Sequence, residues 1–255
     1  MNYAEVAKKA AKEAGEMLLT YQGREKGVHF KAERDITTKA DKASEALLEK
    51  ILIEDHFPEH DFLSEETPYE SKEKEYTWIV DPIDGTGNFA HENPIFCVSV
   101  GLRHGNEIVC GAIYSPAMDE MFLAEKGKGA FLNGKKITTS PDKEFYDLLL
   151  SVEMAPKENI IRRTLLLEKN LALKHRVRTF GSGAMDLAFV ACGRFDAFIS
   201  AYLYIWDVAA GIVIIREAGG EITHLNGEKI DLGKISFSAA ASNGVLHKQL
   251  IEKLK

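Results

Sequence analysis

The stretch Trp78-Ile-Val-Asp-Pro-Ile-Asp-Gly-Thr-Gly-Asn-Phe89 decides how this chain is read. An apolar run of the kind that forms a buried strand stops at two carboxylates three positions apart, Asp81 and Asp84. Pro82 fixes the backbone between them, Gly85 permits a tight turn after them, and Thr86 adds a hydroxyl. A carboxylate at the end of a buried strand needs a partner, because an unpaired buried charge is very costly. Acids clustered in this way hold a hard cation through oxygen ligands. Asp84-Gly85 alone also reads as a plain Asp-Gly turn. That reading leaves the second acid, behind Pro82, unexplained.

Upstream of this stretch the pattern is helical. Val6, Ala7, Ala10, Ala14, Met17, Leu18 and Tyr21 recur at helical spacing, closed by Gly23. A polar stretch from Arg24 to Arg34 reads as an exposed loop. A second helix is expected from Lys42 to His56, ended by Pro58, with Asp41 at its start. There Asp41 can simply cap free amides. Phe62-Leu63-Ser64 reads as a short strand that stops at Glu65-Glu66.

Downstream, runs at Phe96 to Leu102, Ile108 to Ser115, Glu120 to Ala124 and Ala130 to Leu132 alternate with turn signals and predict an antiparallel meander. A second unit begins near Leu148. It comprises a strand, a helix across Glu158 to Leu173, a strand at Arg176 to Thr179, and Gly181-Ser182-Gly183 opening another helix. Phe195 to Ala201 is a further strand. Trp206-Asp207 precedes a helix over Val208 to Ala218, stopped by Gly219-Gly220. Strands at Glu221 to His224 and Phe237 to Ser242 and a helix over Val245 to Leu254 complete it.

Over 255 residues the composition is 45% hydrophobic and 28% charged, ordinary for a globular enzyme. A net charge of -7 argues against a nucleic-acid binder held by phosphate contacts. An acidic protein that takes a phosphorylated substrate needs cations between the two. Cys97, Cys110 and Cys192 sit apart in apolar runs, which suits small buried side chains rather than a zinc site or a disulfide framework. Met1 to Lys12 lacks a signal-peptide core, and no run reaches the roughly 20 apolar residues of a membrane span. A cytoplasmic protein without a membrane partner is expected.

Asp41, Glu65, Asp81, Asp84 and Asp207 all fall at strand ends or helix starts. If they share one cleft they suit two or three Mg²⁺ ions, which prefer oxygen ligands and share substrate phosphate oxygens. Paired ions about 3.5–4 Å apart can clamp both oxygens of an in-line phosphoryl displacement. The set contains no histidine or cysteine, which disfavours zinc.

Trp78 to Phe89 resembles the first signature of the inositol monophosphatase family. Trp206-Asp-Val-Ala-Ala-Gly211 with Glu217-Ala-Gly-Gly220 looks like its second. Ser64-Glu65-Glu66, Thr38-Lys-Ala-Asp41 and Gly127-Lys-Gly-Ala-Phe131 extend the likeness over nearly the whole chain. The resemblance implies an α+β or α/β fold: a layered α/β/α/β/α sandwich of the inositol monophosphatase and fructose-1,6-bisphosphatase type, assembled as a homodimer. An N-terminal lobe, 1–147, would carry most metal ligands, and a C-terminal lobe, 148–255, would add Asp207 and substrate contacts in one catalytic unit.

The resemblance also implies roles. Glu65, Asp81 and the Ile83 carbonyl would bind one Mg²⁺; Asp81, Asp84 and Asp207 a second; and a third, weaker ion would sit near Glu65. Thr86 would orient the nucleophilic water with Asp41 in support, so that Glu65, Thr86 and Asp41 form the catalytic set. Phosphate would meet Gly85 and Thr86. Gly181, Ser182, Gly183, Ser200, Asp84 and Asp207 would contact the rest of the substrate. The implied reaction is Mg²⁺-dependent, Li⁺-sensitive hydrolysis of inositol monophosphate to inositol and phosphate.

Departures from the pattern widen the choice of substrate. Inositol-specific members carry a glutamate seven residues before Asp207, where this chain has Ser200. Tyr202 and Tyr204 could line the space that opens, or could be packing residues. Gly87-Asn88-Phe89 disfavours the nucleotide 3′-phosphatase and histidinol-phosphatase branches, which tend to place a lysine at Gly87. Fructose-1,6-bisphosphatase and NADP(H) 2′-phosphatase activities stay open, although Ser200 to Trp206 contains no arginine for a second phosphate. Arg24, Lys26 and Lys31 could supply cations or be a solvated charge run. A regulatory role through binding the transcription machinery, known for some bacterial relatives, is the alternative of another class.

Overall fold

The computed structural model describes residues 2–22, 29–32, 35–37, 39–67, 74–141, 144–153, 165 and 175–254. The first helix, α1 (Tyr3–Tyr21), starts where the Asn2 side chain accepts from the Ala4 amide at 3.1 Å. Its buried stripe is largely alanine, Ala4, Ala7, Ala10, Ala11 and Ala14, so the helix axis lies close to the sheet beneath. Where an exposed loop was expected over Arg24 to Arg34, β1 (His29–Ala32) pairs antiparallel with β2 (Asp35–Thr37). Strands of four and three residues are too short for alternation to register in a sequence. Arg24, Lys26 and Arg34, together with Gly23 and Thr38, lie outside the described residues, as does the Lys31 side chain.

Helix α2 (Lys39–Glu49) begins two residues before Asp41, so the expected start at Lys42 is corrected. Asp41 lies inside the first turn and is buried, not at a solvent-facing cap. The helix then widens into a π turn, Lys50–Glu54, with Asp55 and Phe57 amides reaching five residues back to the Lys50 and Leu52 carbonyls.

Seven strands form one sheet in chain order: β3 (Asp61–Ser64), β4 (Tyr76–Asp84), β5 (Cys97–His104), β6 (Glu107–Ser115), β7 (Glu120–Glu125), β8 (Gly129–Leu132) and β9 (Lys135–Ile137). Only β3 runs parallel to its neighbour; from β4 onward the sheet is the expected meander, extended by the unforeseen β9. A short helix, α3 (Thr86–Ala90), follows β4.

A second sheet takes the order β11-β10-β12-β14-β13: β10 (Leu149–Glu153), β11 (Arg176–Arg178), β12 (Ala197–Tyr204), β13 (Glu221–Thr223) and β14 (Ser236–Ser242). Strand β10 is parallel to β11 and β12, while β14 is antiparallel to β12 and β13. The helices of this part are α4 (Gly183–Ala191), α5 (Ile205–Glu217) and α6 (His247–Leu254). Strand β12 runs three residues past the expected end at Ala201. Helix α5 starts at Ile205, not Val208, so Asp207 sits in its first turn. The helix expected across Glu158 to Leu173 lies outside the described residues, apart from Leu165.

Burial alternates along the strands and sorts the elements into layers. Trp78, Val80, Val98, Val100 and Leu102 pack under α1 and α2. Ile79, Ile113 and Phe122 face the other way, onto α4 and α5, which on their far side meet Phe198, Ala239 and Ala241 of the second sheet. Ile199, Ala240, Leu150 and Val152 turn outward to α6. The result is α/β/α/β/α. Helix α5 rests almost on the backbone of the first sheet: a Cβ at Gly111 would lie 2.7 Å from Ala210 Cα, and one at Gly101 2.8 Å from Ala209 Cβ. That close approach fixes where the N-terminus of α5, and with it Asp207, meets the end of β4.

Candidate active site

Strand β4 breaks its ladder with β5 between Asp81 and Asp84, where a register shift turns both carboxylates toward the same space. Pro82 lies within the break. Its carbonyl accepts from Ser44 Oγ at 2.9 Å, tying α2 to the interval between the two acids. Asp207 enters from the second sheet, at the point where β12 becomes α5. Each of Asp81, Asp84 and Asp207 offers an oxygen within 4.8 Å of the other two.

Each acid is anchored by a backbone amide. Asp81 Oδ1 accepts from the Ile83 amide at 3.0 Å. Asp207 Oδ2 accepts from the Tyr204 amide at 2.8 Å. Asp84 Oδ2 takes the Ser182 hydroxyl at 2.5 Å and the Ala184 amide at 2.7 Å, with Cys97 Sγ at 3.7 Å. Among the described residues these bonds use one oxygen each of Asp81 and Asp207.

Burial, then the charges of Glu65, Asp84, Asp207 and Asp41, push the Asp81 carboxyl well above the usual carboxylate range. Burial and then Asp84 do the same to Asp207, opposed by the Tyr204 amide and reinforced by Glu65 and Glu153. Burial also raises Asp84, while Ser182, Ala184, Cys97 and Gly183 pull it part of the way back. The charged neighbours that act most on Asp81, Glu65, Asp84, Asp207 and Asp41, are all acids. An all-oxygen set of this density fits hard divalent cations.

Thr86 opens α3 directly after Gly85, which adopts a left-handed φ of 88°. Its hydroxyl lies 2.9 Å from the Ile83 carbonyl, to which it donates, and 3.4 Å from Asp41 Oδ1. The turn is crowded: a Cβ at Gly85 would come within 2.9 Å of the Ile95 carbonyl and 3.2 Å of the Gly181 carbonyl. Glu65 and Glu66 follow β3 and are half-buried.

The remaining expected residues fall into two groups. Gly181 and Gly183 flank the N-terminus of α4, where a Cβ on Gly183 would touch Asp207 Cβ at 3.7 Å. Ser182 is buried and spends its hydroxyl on Asp84. Ser200 is buried in the irregular stretch of β12, where its hydroxyl donates to the Tyr202 carbonyl at 2.8 Å and accepts from the Tyr202 amide at 3.2 Å. Tyr202 and Tyr204 meet edge to face at 5.2 Å, and Tyr204 stacks on Trp206 at 4.7 Å.

Sequence reading passed over several supporting groups. Cys97, taken only as a small buried side chain, touches Asp84. Asn88 Nδ2 donates to the Ile95 and Phe180 carbonyls, both at 2.7 Å, which clamps the 180–182 loop to α3. Glu217 accepts from the Gly127 and Gly129 amides at 2.8 Å each, so two of the quoted segments are one hydrogen-bonded unit. Pairing distant segments needs the fold; no local pattern marks it.

The sequence model described as the inositol monophosphatase family matches residues 2–255. The chain is 41% identical to inositol monophosphatase 1 of Solanum lycopersicum, covering 98% of this chain and 93% of that protein. It is 36% identical to a protein of Aquifex aeolicus named fructose-1,6-bisphosphatase/inositol-1-monophosphatase, covering 99% and 95%. The crystal structure of the extragenic suppressor protein suhB from Bartonella henselae superposes with a TM-score of 0.92 at 35% identity, over 98% of this chain and 97% of that one.

Proposed function

The chain belongs to the inositol monophosphatase family, and from that membership we propose that it is a Mg²⁺-dependent phosphomonoesterase acting on inositol monophosphate or a related small phosphate. The observation that carries this reading is the approach of Asp81, Asp84 and Asp207 to within 4.8 Å. Bound Mg²⁺ would neutralise the acids and the phosphate and make a water acidic enough to attack without a histidine base. The residues that would hold it are Glu65, Asp81, the Ile83 carbonyl, Asp84 and Asp207, a donor set large enough for two or three ions.

In this reading the chain's own groups mainly position. Thr86, fixed against the Ile83 carbonyl and 3.4 Å from Asp41 Oδ1, orients the attacking water, with Asp41 in support. Gly85 and Thr86 present amides to the phosphate. Gly181 and Gly183 border the space for the alcohol portion; Ser182 acts through Asp84; and Ser200 shapes the wall behind them.

The name of the Aquifex aeolicus relative favours fructose 1,6-bisphosphate as a second substrate. NADP is a further one to test. We also infer a homodimer, a cytoplasmic location and inhibition by Li⁺; among the described residues no helix is long and apolar enough to cross a membrane. A phosphate-release screen with Mg²⁺ over inositol 1-phosphate, fructose 1,6-bisphosphate, NADP and adenosine 3′,5′-bisphosphate tests the reading. Highest kcat/KM on inositol 1-phosphate supports it, and release from none of them contradicts it.

A further inference from the structure

We propose that Glu153 is a specificity-determining residue of this site, accepting hydrogen bonds from hydroxyl groups on the non-phosphate part of the substrate. The proposal rests on the phosphatase reading above and deepens it. Glu153 is the last residue of β10, at the same end of the parallel β10–β12 pair as the strand that delivers Asp207. Ligands of α/β sheets collect at that carboxyl end. In register it stands beside Ser200.

Alternation fixes the face. Leu150 and Val152 point outward into the cluster beneath α6, so Ser151 and Glu153 point inward, toward α4. Ser151 lies level with Asp186, one turn inside α4, close enough to lower the Asp186 pKa against the rise that burial imposes. Helix α4 connects β11 to β12, both parallel to β10, so it starts at the carboxyl end of these strands, where Glu153 closes β10 and Gly183 abuts Asp207. Glu153 and Asp207 lie close enough for their charges to act on each other. Geometry and charge therefore put a half-buried carboxylate on the wall of the site, beside the metal ligands.

The chemistry follows from what a carboxylate can do. Ionised, it only accepts hydrogen bonds, so it repels phosphate and attracts hydroxyl donors. The neighbouring Ser200 is the poorer acceptor, because it is fully buried and its hydroxyl already donates to and accepts from the Tyr202 backbone. Glu153 is then an acceptor for a polyol, and it disfavours a second phosphate at the same place. The substrate class it selects is a hydroxyl-rich monophosphate over a bisphosphate.

The test compares wild type, Glu153→Ala and Glu153→Gln on inositol 1-phosphate and on p-nitrophenyl phosphate, which has no hydroxyls to read. Glu153→Ala should lose about tenfold or more in kcat/KM on inositol 1-phosphate, carried mainly by KM, and keep its rate on p-nitrophenyl phosphate. Glu153→Gln, still an acceptor, should lose less. The Mg²⁺ concentration giving half-maximal rise in melting temperature should stay that of wild type. Equal losses on both substrates, or a shifted Mg²⁺ midpoint, would overturn the proposal by assigning Glu153 to the metal site. No loss on either would overturn it as well. A wild type that releases phosphate from neither substrate would instead contradict the phosphatase reading itself.

Discussion

Ser182 Oγ lies 2.5 Å from Asp84 Oδ2 across 98 positions of sequence. The same carboxylate oxygen takes the Ala184 amide, so the N-terminus of α4 closes on an acid that ends β4 in the other sheet. Hydrogen bonds to an ionised acceptor are the strong ones, and here they fix one acid of the cluster in orientation. Ser182→Ala should raise the Mg²⁺ needed for half-maximal phosphate release by about tenfold to a hundredfold, the usual cost of losing a group that orients a ligand. Ser182→Thr, which keeps the hydroxyl, should recover most of it. An unchanged Mg²⁺ titration for Ser182→Ala would show that Asp84 needs no such support.

Gly85 carries both strain and crowding. An alanine there must hold a left-handed φ and push its Cβ to within 2.9 Å of the Ile95 carbonyl. Strain of this kind costs about 1–3 kcal/mol, or about 2–12 °C in melting temperature for a chain of this size. Thermal denaturation of Gly85→Ala with and without Mg²⁺ should show that drop in both conditions. Equal melting temperatures would mean the turn can relax.

The acid cluster should destabilise the metal-free protein. Burial and neighbouring acids raise Asp81, so the folded state holds its proton more tightly than the unfolded chain. Stability from such a group is complete below the unfolded carboxylate pKa and is lost as pH rises toward the folded value. In chelator at pH 7, Asp81→Asn should therefore melt higher than wild type, the amide oxygen still accepting from the Ile83 amide. Mg²⁺ at a hundred times its dissociation constant should add about 2.7 kcal/mol to wild type and far less to the variant. Melting curves in chelator and in Mg²⁺ decide it; a variant that gains as much from Mg²⁺ as wild type would contradict the ligand role.

Asp186, in the first turn of α4, gives the same sign. Its carboxyl is fully buried with only the Ser151 hydroxyl near it among the described residues, and burial drives its pKa well up, with the Asp84 charge adding to the rise. Wild type should lose stability relative to Asp186→Asn as pH rises from about 4, where unfolded aspartates ionise. Denaturant titrations in chelator at pH 4.5 and pH 8 measure this. A gap between the two proteins that does not widen with pH would contradict it.

The sequence carried the strongest signals where local chemistry is unusual. Trp78 to Asp84 is both apolar and acidic, so its place at a strand end is visible without a structure. Asp207 could be assigned but not positioned, because its approach to Asp84 depends on how closely α5 beds on Gly101 and Gly111. Asp41 looked like a cap because helix starts are hard to fix to the residue, and its neighbour Thr86 lies 45 positions away. The β1–β2 hairpin was hidden by shortness. Ser182 and Glu153 were invisible as partners of Asp84 and Asp207, since strand order in the second sheet sets those meetings and no local periodicity encodes strand order.

The central claim, that Asp81, Asp84 and Asp207 form the metal site of a phosphatase, is tested most directly by a Mg²⁺ titration of phosphate release from inositol 1-phosphate by wild type and Asp84→Asn. The amide oxygen can still accept from Ser182 and Ala184, so the fold survives, while the negative charge is lost and the other carboxylate oxygen becomes an NH2 group that cannot ligate a cation. The prediction is Mg²⁺-dependent turnover by wild type and a loss of at least about a hundredfold in Asp84→Asn. Near-normal turnover by Asp84→Asn, or turnover by wild type that persists in chelator, would contradict it.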